Sequence, residues 1–365
     1  MKKIIPIIFL IQIHIFSSAQ GSIQDKRSYF FESLFQYGSI IPHRIAIKHL
    51  RTGPLFGYEF KFGIQTTSNN LWKKIYNQPE VGFGFYGANL GNPSVLGNPN
   101  AIYSFIRVPI KRGQKFIPFY QIATGLTYNL KSYNPVDNPE NLAIGSELNQ
   151  YFNLSIGGRL KINPKLCLIN EIGFTHFSNA AVKKPNRGIN SFSYKLGLNF
   201  NTVHQEFVGR KYEIPDFKPL YDFYLFYGAG LRQHDPGDEF YFTSTISTGL
   251  LRQYGHKGKY GIGMDIFYDE TLYIFVDDEP FLKYALKQGF FFSHEFIISG
   301  FSIVTQLGIY TYQKSFAHHT FYNRIGLKYK FSKHFFANIS IKSHSAKADF
   351  IEAGLGYYFL KYTML

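Results

Sequence analysis

The sequence predicts an all-β fold, a transmembrane antiparallel β-barrel, and three observations carry that prediction. Past residue 25 no window holds a 3.6-residue apolar period; instead, segments of roughly 9–14 residues alternate apolar with polar, as membrane-spanning strands do. Aromatic residues make up 19% of the 365-residue chain, 39 Phe and 28 Tyr with 1 Trp, and charged residues only 17%. Girdles of Phe and Tyr at the two membrane interfaces account for such an excess. Third, the chain opens like an exported protein. Lys2 and Lys3 precede an apolar stretch from Ile4 to Phe16 and the small residues Ser17, Ser18 and Ala19, the layout of a signal peptide (1–19) cut after Ala19.

Composition narrows the alternatives. Hydrophobic residues at 45% argue against disorder, and the formal net charge of +15 makes the chain basic. A single cysteine, Cys167, excludes an intrachain disulfide and a thiolate zinc cluster. No glycine-rich phosphate loop opens a helix and no nucleic-acid module is visible. No metal or organic cofactor is implied.

Taken in order, sixteen segments read as strands: 28–36, 54–66, 80–89, 100–111, 115–129, 147–162, 165–178, 189–201, 221–232, 239–253, 258–269, 286–299, 301–313, 320–331, 334–343 and 348–361. Glu147 to Ile162 is the clearest. Leu148, Phe152, Leu154, Ile156, Leu160 and Ile162 fall on one face, and Glu147, Asn149, Asn153, Ser155, Arg159 and Lys161 on the other, because successive side chains alternate. Tight turns are expected at Arg112-Gly113, Asn163-Pro164 and Ser332-Lys333, and long loops after 89 and 129. The stretch 67–79 breaks this alternation of long and short unless the count before it is off by one, and 202–220 breaks it as a linker. Near the end, Gly354, Tyr357 and Phe359 have the spacing of a C-terminal barrel-insertion signal. About sixteen strands fit one barrel or two eight-stranded halves, 20–201 and 221–365, and fourteen strands fit nearly as well. A soluble β-sandwich is the rival. A faint echo between Tyr151–Phe200 and Tyr322–Phe359 reads equally as duplication or as generic hairpin grammar.

One strand carries chemistry. On Leu166 to Ser178, His176 and Ser178 share the apolar face with Leu168, Ile172 and Phe174, which should contact lipid; Cys167, Ile169, Glu171, Thr175 and Phe177 share the other. On the next strand Asn190 lines up with Phe192, Tyr194, Leu196 and Leu198. A histidine, a hydroxyl and an amide at the rim of a lipid-facing surface are costly without partners. Two residues apart on a strand, His176 and Ser178 have Cβ atoms about 6.5–7 Å apart, within reach for a base and a nucleophile. Asn190 could accept from the other ring nitrogen. The loop between supplies Asn179, Asn186 and Gly188 as candidate oxyanion-hole donors.

The stretch His176-Phe-Ser178-Asn179-Ala180 followed by Pro185-Asn186-Arg-Gly188-Ile-Asn190 resembles the outer-membrane lipid A 3-O-deacylases, the PagL family. The resemblance is sharp over about fifteen residues and extends across 28–201. It implies an eight-stranded barrel with its site on the lipid-facing wall, hydrolysing the 3-position ester of lipid A. By resemblance His176 is the general base, Ser178 the nucleophile, and Asn179 and Asn186 the motif asparagines. The acidic member falls at Asn190, which is not acidic here. In a serine protease an acid-to-amide change lowers turnover by about 10⁴ because the histidine takes the wrong tautomer. An amide with its oxygen toward the ring avoids that fault. Glu171 is the nearest acid in sequence, but it points the other way.

If the chain starts inside, the seventh strand runs outward and Ser178 lies at the level of the outer-leaflet esters. Lys183, Lys184 and Arg187 in the motif loop suit phosphorylated lipid A, and equally a solvated loop. The expected partners are lipopolysaccharide and outer-membrane lipids, with homo-oligomerisation open. The rivals are an inert pore or structural barrel and an esterase of another lipid, such as a phospholipid. His318-His319 and the acidic Asp269-Glu270 and Asp277-Asp278-Glu279 read as loop groups rather than metal sites. His344-Ser345, the echo's counterpart of the pair, lacks the spacing, and His344 alternates onto the polar face.

Overall fold

The computed structural model describes residues 26–67, 70–113, 115–202, 213–272, 274, 281–314, 319–344 and 347–363. The expected export segment, His318, Ser345 and Asp277–Glu279 lie outside the described residues. Sixteen strands close into two barrels of eight, which resolves the three arrangements the sequence allows. The first barrel holds β1 (Lys26–Ile40), β2 (Leu55–Thr67), β3 (Glu80–Asn89), β4 (Gly97–Pro109), β5 (Phe116–Leu130), β6 (Asn149–Lys161), β7 (Leu166–Ser178) and β8 (Ile189–Asn201). The second holds β9 (Leu220–Arg232), β10 (Tyr241–Gly255), β11 (Gly258–Asp269), β12 (Leu286–Ile298), β13 (Phe301–Gln313), β14 (Phe321–Lys330), β15 (Phe335–His344) and β16 (Lys347–Thr363). Within each barrel every strand pairs antiparallel with its chain neighbours. Closure comes from β1 on β8, with Ile40 opposite Ser191, and from β16 on β9, with Gly354 opposite Gly228. The chain divides into two compact units, one through Asn179 and over Pro185–Ile214, the other over Ala180–Lys184 and from Pro215 on.

The alternation is inverted relative to a soluble protein: charged and amide side chains point in, packed among buried aromatic and aliphatic groups, and the wall outside is apolar. On β6, Asn149, Tyr151, Asn153, Ser155 and Arg159 are buried while Leu154 and Ile156 are exposed. An eight-stranded barrel is just wide enough for side chains to fill, so inward polar groups must satisfy one another. In the first barrel Arg107 donates two parallel bonds to Glu32, at 2.5 and 2.7 Å, and a third to Glu171 at 3.1 Å. Lys61 donates to Glu171 at 2.8 Å, Lys195 to Glu59 at 2.5 Å, and Arg159 to Glu80. These four cations and four carboxylates are all buried. Next to this network Tyr86, Tyr103, Tyr151 and Phe177 stack in a buried cluster, and Tyr103 donates to Glu59 at 3.2 Å. In the second barrel Arg324 donates to Asp265 at 3.2 Å, Lys342 to Asp349 at 2.6 Å and Lys328 to Glu295. Both lumens are plugged.

Outside, aromatic residues pair across strands, Tyr29 on Phe62 and Phe31 on Phe60 in the first barrel, Phe223 on Phe359 in the second. An apolar exposed belt around a polar, hydrogen-bonded interior is what a bilayer demands of a barrel wall. Among the described residues no helix is long and apolar enough to cross a membrane, which leaves the strands to do it.

The ends of the first barrel differ. The connections 41–54, 90–96, 131–148 and 179–188 gather at the end where β7 finishes. The 67–79 stretch lies at the opposite end, so the strand count before it is correct and no outer loop is misplaced. That stretch is long because it holds a short helix, Leu71–Ile75, which Arg112 Nε ties down by donating to Asn77 O at 2.8 Å. β1 runs on to Ile40, past the expected end, because Tyr37 and Ser39 keep facing out and Gln36 and Ile40 in.

Candidate active site

β7 and β8 lie side by side with His176 directly opposite Asn190 and Phe174 opposite Phe192. Period-two alternation therefore carries His176, Ser178 and Asn190 onto the outer wall, above an apolar surface. Ile172 is 61% exposed and Tyr194 50%, and Phe174 packs edge-on against Phe192 at 5.3 Å immediately below the polar groups. Ser178 itself is 7% exposed.

The three polar side chains form one continuous chain. His176 Nδ1–H donates to Asn190 Oδ1 at 2.6 Å, and Ser178 Oγ–H donates to His176 Nε2 at 3.0 Å. An amide oxygen only accepts, so it pins the proton on Nδ1 and leaves Nε2 bare to accept from serine. That is the tautomer a general base needs. The amide of Asn190 stands with its oxygen toward the ring, the orientation that avoids the tautomer fault of an amide.

A fourth residue continues the chain. Asn190 Nδ2 donates to His43 Nδ1 at 3.0 Å, and the backbone reinforces the contact through Ile41 N donating to Asn190 O at 2.8 Å. His43 lies on the 41–54 connection, outside the strands. Partial burial, then the adjacent Arg44, hold its pKa below the ordinary histidine value, while a backbone hydrogen bond with Arg187 pulls it up.

The motif loop is stitched to its neighbours. Asn179 N donates to Asn186 Oδ1 at 3.1 Å, and Asn179 Nδ2 donates to Ser146 Oγ at 2.9 Å. Gly188, expected to offer its N–H to an oxyanion, does not: that N donates to Ala143 O at 3.0 Å. Its glycine identity has another cause. With φ at +73° the backbone is in the left-handed region, and a Cβ there would stand 2.7 Å from His176 Cε1. Gly188 thus leaves room for the imidazole. Of the expected donors, Asn179 is tied into the loop through both its N–H and its amide, and Asn186 uses its oxygen, which leaves the Nδ2 hydrogens as what Asn186 presents.

The three loop cations part company. Lys184 groups with the second unit, where its N donates to Gln233 Oε1 at 3.0 Å and its Nζ to His234 O. Burial, then Arg232, push its pKa down. Lys183 belongs to that unit too, whereas Arg187 stays with the first and meets His43 through its backbone. Beside His43 an open cleft of about 650 Å³ is lined by Ile41, Arg44, Ile45, Lys48, Arg51 and Phe192, among others. It joins the apolar wall to three cations that the sequence reading did not single out. Among the described residues no group of three or more His, Cys, Asp or Glu is placed to hold a metal ion.

The fold and the site define a class: a membrane-spanning β-barrel with a hydroxyl, an imidazole and an amide aligned on its outer wall. Comparison with known families is specific. Residues 56–199 match the lipid A 3-O-deacylase (PagL) family, and residues 219–362 match the family described as acyloxyacyl hydrolase, C-terminal domain. The chain belongs to the lipid A 3-O-deacylase (PagL) family and is an outer-membrane β-barrel. Both descriptions are of ester hydrolases. The second match begins at the start of β9, so the half of the chain that the motif resemblance left uncovered belongs to the same kind of protein. No curated protein matches the sequence. Solved structures with similar barrels include Neisserial surface protein A, 9% identical, covering 50% of this chain and 99% of its own with a TM-score of 0.30. Omp33 of Acinetobacter baumannii is 8% identical over 91% of this chain and 99% of its own, TM-score 0.18. A Rh. blastica porin mutant is 6% identical over 92% of this chain and 100% of its own, TM-score 0.18.

Proposed function

We propose that the chain is a serine esterase that removes a fatty acyl chain, by resemblance the 3-O-linked one, from lipid A of lipopolysaccharide. The observation that carries the proposal is the unbroken hydrogen-bond chain Ser178–His176–Asn190 on the lipid-facing wall. Ser178 Oγ attacks the ester carbonyl as its proton passes to His176 Nε2. His176 then protonates the departing sugar oxygen, leaving an acyl-enzyme and a free sugar hydroxyl. Water, activated by the same nitrogen, releases the fatty acid and restores Ser178. Asn190 keeps Nδ1 protonated throughout. Asn186 Nδ2, one hydrogen bond from the residue after Ser178, is the proposed donor to the oxyanion.

The surroundings support a phosphorylated lipid. The acyl chain would lie along Phe174, Phe192 and Ile172, in bilayer already, and the phosphates would meet Arg44, Lys48 and Arg51 in the adjoining cleft.

The test is mass spectrometry of lipid A from cells producing the wild type or Ser178→Ala, with both proteins present in the outer membrane. Loss of one hydroxyacyl chain with the wild type alone is the expected result. Unchanged lipid A with both, on a host whose lipid A carries 3-O-linked chains, would leave an inert barrel.

A further inference from the structure

We propose that His43 is a positioning residue for this site: neutral, it locks the Asn190 amide with its oxygen toward His176, and protonated, it turns the amide around and disables the base. The inference rests on Ser178 and His176 acting as nucleophile and base.

A carboxylate in the third position presents an oxygen to the histidine whichever way it turns. An amide does not. With its nitrogen toward His176 Nδ1, the ring proton is forced onto Nε2, against the serine whose proton the base must accept. An asparagine therefore works here only if a second group tells its oxygen from its nitrogen. His43 is that group. Its Nδ1 lies 3.0 Å from Asn190 Nδ2, and because an amide nitrogen only donates, Nδ1 is the acceptor and the ring proton sits on the other nitrogen. The 41–43 segment is held in register by Ile41 N on Asn190 O at 2.8 Å. The relay thus runs Ser178, His176, Asn190, His43, each donating or accepting in one sense only.

A second proton on His43 makes both ring nitrogens donors. Nδ1–H then faces Nδ2–H, and the pair is relieved by rotating the amide, which sends Nδ2 to His176. The groups around His43 disfavour that proton: Arg44 beside it, Lys48 and Arg51 in the same cleft, Arg187, and His176 across Asn190, with no acidic residue among the described residues that line the cleft. The lowered His43 pKa agrees. The sign follows. The relay is intact above the His43 pKa and is lost as pH falls through it, so the neutral form persists to somewhat more acidic pH than for an ordinary histidine.

The test uses the full-length protein in outer-membrane fractions, with folded barrel quantified by its heat-modifiable gel mobility. Two readouts run in parallel from pH 5 to 8: the rate at which a serine-reactive fluorophosphonate labels Ser178, and hydroxy fatty acid release from lipid A. His43→Leu should slow both by about 10–100-fold with KM little changed, by analogy with the range found for outer hydrogen-bond partners of metal-ligating histidines. His43→Asn, whose Oδ1 replaces Nδ1 as acceptor, should keep most of the rate while the acid limb loses one proton. In an Asn190→Asp background His43→Leu should do nothing, since a carboxylate needs no orienting. Wild-type labelling in His43→Leu, or a loss as large in the Asn190→Asp background, overturns the proposal. His43-dependent labelling without lipid A cleavage would support the relay and count against the lipid A reading instead. A wild type that the probe does not label at all would overturn both.

Discussion

The two barrels solve the same interior problem and differ on the outside. Each buries paired cations and carboxylates behind an exposed apolar wall, and each has a histidine near the end of its seventh strand, His176 on β7 and His344 on β15. His176 points outward, opposite Asn190, and accepts from a serine two residues on. His344 points inward, opposite Lys347, and its Nε2 meets Tyr310 Oη at 2.9 Å while its ring stacks on His319 at 4.2 Å. Because side chains alternate, the parity of one position decides whether a strand-end histidine can reach membrane lipid or only plugs a lumen. In a barrel that chemistry needs the outer face, whereas stability can use either.

The sharpest way to break this comparison is to delete both histidines separately. His176→Ala should abolish lipid A cleavage, by about 10³-fold or more, as removal of a triad base does. His344→Ala should leave turnover per folded molecule unchanged. It should instead lower the stability of the second barrel by about 1–3 kcal/mol, the cost of leaving a buried Tyr310 hydroxyl unpaired. Lipid A mass spectrometry and thermal melting of the gel-shift signal separate the two. Equal loss of cleavage in both variants would refute the assignment of chemistry to the outer wall.

A smaller effect sharpens the geometry of the loop. Asn186→Asp keeps the oxygen that accepts from Asn179 N but removes the amide donor. If that donor stabilises the oxyanion, kcat should fall by about 10²–10³ with KM little changed. A variant with unaltered kcat would mean that Asn186 only shapes the loop.

Much of this was legible because it depends on period two alone. All sixteen strands, the outward placement of His176, Ser178 and Asn190, and the inward turn of His344 follow from alternation. What escaped depends on closure. His43 is 147 positions from Asn190 and sits in an unremarkable Pro42-His43-Arg44 loop; it meets the site because β1 pairs with β8. Ser146 and Ala143 enter more locally, from the long connection before β6, which pairs with β7 as its chain neighbour. Eight-strand closure, once granted, contains the missing signal, since it places the end of β1 beside the start of β8 and makes the 41–54 loop border the site. Gly188 is deceptive for a related reason: a glycine in a loop looks like a free donor until the loop's own hydrogen bonds are known.

The smallest predicted change is a gain. Asn190→Asp restores a carboxylate beside His176 without altering shape, and the hydrogen bond at 2.6 Å becomes charge-assisted as the imidazolium forms. The difference between a neutral and an ionic hydrogen bond is about 1 kcal/mol net, so kcat should rise about 5-fold. The size of the gain discriminates. If His43 already holds the amide in its productive orientation, only this electrostatic increment is left to recover. If the wild-type amide instead rests with its nitrogen toward His176, the substitution recovers the tautomer as well, and the rate should climb toward the roughly 10⁴-fold that an acid-to-amide change removes in a serine protease.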